Sequence, residues 1–259
     1  MRFSGYIFDV EGTLVDSVPQ NLLSLQDALA AFGVTASYDL LQLYSGLDGD
    51  QTLQLVTPHL DGDERNKVLE LQAKLYEANY LGSVTAFPDV RNVFQALTRD
   101  GGRIALATDC KGPELKHYLS LLNVTDLIDS MACGDDVEHG KPDPRLVGLA
   151  LRKLGVAAGQ AVMIGDTPYD AEAASGTGTA AAGLLTGGFV KEVLTDAGCF
   201  AVAKDLNELR SYLESGPPRS AVAKGEIIVS GCGTSLFVRT GTNDKRSRSL
   251  VCHVDSRTH

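Results

Sequence analysis

Beyond residue 87 the chain alternates short apolar runs with stretches of helical periodicity, a pattern that few folds can satisfy. The spacing predicts strands over 103–107, 130–133, 161–164, 179–184 and 200–203. Between and around them it predicts helices over 90–99, 114–122, 144–154, a short one after Pro168, then 190–197 and 206–213. A further apolar run over 3–8, stopped by Asp9 and a Gly-Thr turn, adds a strand near the N-terminus. Strands joined by crossover-length helices form a parallel sheet covered on both faces, with ligands at the carboxyl ends of the strands. The expected class is therefore α/β, a Rossmann-like doubly wound parallel sheet core.

A different pattern separates the first strand from this alternation. Leu22, Leu25, Leu29 and Phe32, and later Val68, Leu71 and Leu75, recur at spacings of three or four, and no strand-like run interrupts them. An inserted all-helical module over 17–84 is expected, dividing the core into 1–16 and 85–215. Gly216-Pro217-Pro218 closes the alternation. The remaining 216–259 reads as a β-rich C-terminal extension, with 226–229 and 236–239 forming a hairpin around Ser-Gly-Cys-Gly-Thr and 250–254 a third strand. It would serve as an edge or dimer contact; a disordered tail is the other reading of this segment.

Charge narrows the partners. The chain carries 33 acidic and 23 basic residues, net -10. The tail holds seven basic against three acidic residues, so it is +4 and the rest of the chain is -14. The helical insertion alone is -6, with Arg65, Lys67 and Lys74 against nine acids. Such a balance suits neither nucleic acid nor anionic lipid. The longest uncharged stretch, 173–190, contains five glycines and makes a poor membrane helix. The first strand begins almost at Met1, which leaves no room for a signal peptide. Cys110, Cys133, Cys199, Cys232 and Cys252 are scattered without a disulfide framework. A cytoplasmic protein with reduced thiols, monomeric or homodimeric and acting on a small molecule, is the expectation.

Four segments lie where the expected strands end: Asp9-Val10-Glu11-Gly12-Thr13, Ala107-Thr108-Asp109, Gly140-Lys141-Pro142 and Gly165-Asp166-Thr167-Pro168-Tyr169-Asp170. Each alone is a common turn or cap sequence. Together, aspartates after two strands, a hydroxyl after a third and a lysine before a helix are the parts needed to gather phosphate and a hard cation on one rim. In this order, and with a helical insertion directly after the first, they resemble the haloacid dehalogenase-like hydrolase superfamily in its phosphoglycolate phosphatase and β-phosphoglucomutase-like branch, with a type 1 helical cap.

The resemblance implies a Mg2+-dependent phosphatase that hydrolyses a small phosphorylated metabolite through an aspartyl-phosphate. Asp9 would be the nucleophile, and Asp9, the backbone carbonyl of Glu11, Asp166 and Asp170 would hold Mg2+. Thr108 and Lys141 would act on the phosphate during catalysis, with Gly12 and Asp109 completing the phosphate site. Asp109 stands where many relatives carry Asn.

Glu11 departs from the pattern. The family's acid/base, two residues after the nucleophile, is usually Asp, although enolase-phosphatases carry Glu. Intrinsic acidity differs little, about 3.9 against 4.3; the added methylene changes reach. A retained carboxyl points to phosphoryl transfer. Two alternatives stay open: a β-phosphoglucomutase-type phosphomutase, and a catalytically weak phosphate- or metal-binding protein disabled by Glu11. The cap loop over 44–51 has no basic residue, which favours a neutral or cationic leaving group unless Arg65, Lys67 or Lys74 reaches in. Asp48 and Asp50 in that loop read first as turn residues.

Overall fold

The computed structural model describes residues 3–215. The core begins with β1 (Gly5–Phe8), and β2 (Val15–Asp16) leads out of it into four helices: α1 (Val18–Ala31), α2 (Tyr38–Gln42), α3 (Gly49–Val56) and α4 (Gly62–Leu75). A π-helical turn (Tyr76–Tyr80) extends α4, and the chain returns through β3 (Thr85–Ala86). The alternating part follows as α5 (Val90–Arg99), β4 (Arg103–Ala107), α6 (Gly112–Leu122), β5 (Ser130–Ala132), α7 (Arg145–Leu154) and β6 (Ala161–Gly165). It ends with α8 (Pro168–Thr177), β7 (Ala180–Leu184), α9 (Lys191–Asp196), β8 (Cys199–Ala203) and α10 (Leu206–Ser215). The predicted tail hairpin over 226–239 and the strand over 250–254 lie outside the described residues.

The six core strands run parallel in the order β5-β4-β1-β6-β7-β8. Strand order reverses at β1, whose Phe8 is in register with Leu106 on one side and Ile164 on the other. An open sheet leaves a crevice at such a switch point, and Asp9 is the first residue beyond Phe8.

Alternation along β1 fixes its two faces. Tyr6 and Phe8 join Phe94, Ile104, Leu106, Tyr118 and Ile164 in one buried cluster. Ile7 faces the opposite way, into a second cluster with Ala105, Ala107, Met163, Leu146 and Ala174. Alanines on this second face let α7 and α8 approach the sheet closely. The helical insertion has its own core of Leu22, Leu25, Leu29, Leu41, Leu53 and Val68.

Local chemistry sets the helix starts. Asp61 and Glu64 form a reciprocal capping box on α4, Ser37 caps α2, and Pro19 occupies the first turn of α1. Gly155 and Gly178 end α7 and α8 in left-handed conformation. The sequence pattern contains no sign of β2 and β3, which pair antiparallel as Val15 with Ala86 and Asp16 with Thr85. Two residues are too few to show alternation. Among the described residues no helix is long and apolar enough to cross a membrane.

Phe94 is fully buried with its ring 4.7 Å from that of Phe8, so α5 clamps the strand that leads into Asp9. Phe94→Ala is expected to lower unfolding free energy by about 3–5 kcal/mol, measured by urea denaturation; a loss below about 1 kcal/mol would show that the two rings do not anchor β1.

Candidate active site

The parallel register delivers the chemistry to one edge. Asp9 follows β1, Thr108 follows β4 and Asp166 follows β6, all beyond neighbouring strand ends. The Asp9 amide donates to the carbonyl of Ile164 (2.9 Å) and the Thr108 amide to that of Ala132 (3.1 Å), so each residue is held by the ladder beside it. Beyond Asp9 the chain folds tightly, with the Val10 carbonyl accepting from the amides of Leu14 (2.8 Å) and Val15 (3.1 Å). Gly12 has φ +73°, and a Cβ there would lie 2.3 Å from Asp166 Oδ2, so both backbone and space require glycine.

Lys141 enters from the loop before α7 and is only 3% exposed. Its Nζ lies 2.7 Å from Asp170 Oδ1, 2.8 Å from Asp9 Oδ1 and 3.7 Å from Asp109 Oδ2. Burial opposes its charge, but Asp170, Asp9 and Asp109 hold the ammonium well above its usual range. The Asp109 carboxylate also accepts from the Lys141 amide at 3.1 and 3.3 Å, so it braces the lysine loop.

Asp170 is fully engaged. Oδ1 accepts from Lys141, while Oδ2 accepts from the Thr167 hydroxyl (2.7 Å) and amide (3.1 Å), making the capping box of α8. Asp166, just before that cap, accepts from the Thr13 hydroxyl at 2.7 Å through Oδ1. Its Oδ2 is buried and has no hydrogen-bond partner among the described residues. A Cβ on Gly187 would fall 1.9 Å from this oxygen, so glycine keeps the space beside it open.

Asp9, Asp166 and Asp170 offer buried carboxylate oxygens within 4.8 Å of one another. Burial raises Asp9 to about 7 against the pull of Lys141, and burial with the Asp9 and Asp170 carboxylates raises Asp166 well above the usual range. One lysine cannot neutralise the group. Hard oxygen donors, an orphaned buried carboxylate oxygen and a deficit of positive charge fit a small divalent cation such as Mg2+.

Thr108 is fully buried, and its hydroxyl donates to Cys110 Sγ at 3.2 Å. Burial pushes the Cys110 thiol up, so it stays protonated. Glu11 is half-buried and raised to about 8, first by burial and then by Glu114 and Asp9. It accepts from the Tyr118 hydroxyl at 3.2 Å.

The helical insertion roofs a cavity of about 530 Å³ above these residues. Asp48 caps α3 and Asp50 pairs with Arg65 at 2.8 Å, so both acids of the cap loop serve the cap's own structure. Arg65, Lys67 and Lys74 do not line the cavity; among the described residues its cations are Lys111 and Lys141, facing Glu114 and Glu138 as well as the carboxylates below. Two cap–core contacts lie beside the carboxylates: Gln42 Nε2 donates to the Gly187 carbonyl (2.7 Å), and a Cβ on Gly46 would lie 2.5 Å from Thr167 Cγ2.

Sequence reasoning singled out Asp9, Glu11, Gly12, Thr108, Asp109, Lys141, Asp166 and Asp170, and the structure brings them all to this rim. It left Thr13, Thr167, Gly187, Tyr76 and Tyr118 without roles. Thr167 was recoverable, because Thr-x-x-Asp before a helix is a capping-box signature. The tyrosines carry no local signal, since only the tertiary fold joins them.

The sequence profile of the haloacid dehalogenase-like hydrolases matches residues 6–184. A phosphoglycolate phosphatase from Yersinia pestis is 32% identical over 189 residues, covering 71% of this chain and 81% of its own length. A pyrophosphatase from Bacillus velezensis is 25% identical, covering 71% of this chain and 83% of its own. Among solved structures, a hydrolase from Pseudomonas syringae superposes with a TM-score of 0.77 at 27% identity, over 83% of this chain and all of that one.

Gly187→Ala is expected to weaken Mg2+ binding at least about tenfold (about 1.4 kcal/mol) by placing a methyl against Asp166 Oδ2. Isothermal titration calorimetry reads this. Gly159→Ala, which meets nothing within 4 Å, is the control.

Proposed function

This chain belongs to the haloacid dehalogenase-like hydrolases, in the phosphatase branch, and from that premise we propose that it hydrolyses a small phosphomonoester through a phosphoryl group carried on Asp9. The observation that carries the reading is the placement of a buried lysine between Asp9 and Asp170, beside an Asp166 oxygen with no partner. That arrangement prepares one carboxylate for an anionic substrate.

Asp9 attacks phosphorus with its carboxylate; the bond to the leaving oxygen breaks as the bond to Asp9 forms. Glu11, raised to about 8, holds a proton near neutrality and delivers it to the departing oxygen. It then takes a proton from a water that attacks the Asp9 phosphoryl group, releasing phosphate and restoring Asp9. Thr108 donates its hydroxyl to a phosphoryl oxygen, Lys141 supplies positive charge to the same group, and Gly12 lets the backbone approach it. Asp9, Asp166 and the Glu11 carbonyl would hold Mg2+ directly, with Asp170 supporting the site through Lys141 and Thr167. When bound, that ion offsets the repulsion between carboxylate and phosphate.

The cavity carries Glu114, Glu138 and Lys111 around the place left for the leaving group. This lining suits an uncharged or cationic alcohol better than a second anion. Some relatives are named for phosphoglycolate, whose carboxylate would depend, among the described residues, on Lys111 beyond the phosphate site.

Mg2+-dependent hydrolysis of p-nitrophenyl phosphate is expected to fall about 1,000-fold in Asp9→Asn, about 4 kcal/mol of barrier, and to vanish with EDTA. An Asp9→Asn enzyme of unchanged rate would remove the nucleophile assignment. In a comparison of glycerol 1-phosphate with phosphoglycolate, kcat/KM is expected to favour the former; a preference for phosphoglycolate that Lys111→Ala abolishes would reverse the substrate reading.

A further inference from the structure

The Glu11 carboxyl sits at the end of a buried chain of hydroxyls. Tyr118, on α6 and fully buried, donates to Glu11 Oε1 at 3.2 Å, and the Tyr76 hydroxyl lies 2.5 Å from that of Tyr118. A phenol has one proton. Tyr118 can give its proton to Glu11 only while Tyr76 gives its own to Tyr118, so the three groups form a directional relay running from Tyr76 to Glu11.

Both ends of the relay have structural meaning. Glutamate has one more rotatable bond than aspartate, and a proton donor must be held in one position to act. The hydroxyl of a ring locked in the core is a fixed point for that longer arm. Tyr76 opens the π-helical turn at the end of α4, where the helical insertion returns to the core. Tyr80, at the far end of the same turn, donates to Asp27 Oδ2 of α1 at 2.5 Å, and Tyr76 packs in the core cluster that holds Tyr118. Widened turns of this kind concentrate at functional sites, because they re-aim side chains without ending the helix.

We infer that Tyr118 is the positioning residue that fixes Glu11 for proton transfer, and that Tyr76 makes this position depend on where the cap sits. The inference rests on Glu11 serving as acid/base. It gives the cap a second task besides roofing the cavity: the hydroxyl that orders the relay belongs to the turn where the cap returns to the core.

The test compares kcat/KM, which reports the first step, for glycerol 1-phosphate and p-nitrophenyl phosphate with Mg2+ present. An alkoxide needs a proton to leave, whereas p-nitrophenolate departs without one. Tyr118→Phe is expected to lower kcat/KM for glycerol 1-phosphate about tenfold or more, with a loss about fivefold smaller or less for the aryl ester. Tyr76→Phe should shift the ratio in the same direction and decides the matter if Tyr118→Phe does not fold. In a Glu11→Asp background, whose shorter arm is out of reach, Tyr118→Phe should have no further effect on the ratio. Equal losses on both esters, or none, overturn the relay provided that Glu11→Gln itself discriminates between them. If Glu11→Gln leaves the ratio unchanged, the acid–base reading falls and the relay with it.

Discussion

A single ammonium group organises the catalytic edge of this protein. Lys141 has left water almost completely, and its charge is tolerable only because Asp9 and Asp170 stand within hydrogen-bond distance and Asp109 lies just beyond. The dependence runs both ways. Asp170 caps α8 through Thr167, so the lysine is tied to the helix that follows Asp166, and Asp109 grips its backbone from the end of β4. Two strand ends and the first turn of α8 therefore meet at one nitrogen. Even so, carboxylates outnumber cations there, and Asp166 keeps an oxygen that none of the described residues satisfies. A cluster left so anionic by its own protein has the hard oxygen donors and the charge deficit that suit a divalent cation.

Much of this was legible in the sequence, for specific reasons. The sheet was visible because buried parallel strands read as uninterrupted apolar runs and their crossovers as amphipathic segments. The rim was visible because chemistry in such a sheet collects where strands stop, so Asp9, Thr108 and Asp166 announced themselves by position. Local grammar was less fully used: Thr167 and Asp170 follow a capping pattern, and the resulting hydrogen bonds commit both Asp170 oxygens within the protein. What no linear pattern could reveal was the company kept by Glu11. Tyr76 and Tyr118 lie on separate helices, 42 residues apart, and either would pass as ordinary core material. The acids of the cap loop read locally as turn residues; Asp48 instead caps α3, and Asp50 pairs with Arg65, which lies on the next helix.

The meeting of cap and core is economical. Gln42 reaches the carbonyl of Gly187, the glycine whose missing side chain leaves room beside Asp166, and Gly46 rests on Thr167, which holds Asp170. Both contacts thus fall on backbone or side chains adjacent to the carboxylate cluster, and the tyrosine pair adds a third from the other side of the cavity. These contacts touch the supports of the carboxylate cluster and leave the carboxylates themselves to the cavity.

The two-residue stem gives this arrangement a lineage-level consequence. Val15 both pairs with Ala86 and closes the turn that begins at Val10, while the Phe87 amide bonds to the Leu14 carbonyl. The helical roof and the loop that follows Asp9 are consecutive stretches of one ribbon, with no neutral spacer between them. Grafting a different roof onto this core, by recombination or in the laboratory, would require 10–16 and 84–87 to be inherited as a block. Cap positions remote from the stem are free of this constraint, but the insertion point itself is tied to the geometry of the turn that follows Asp9.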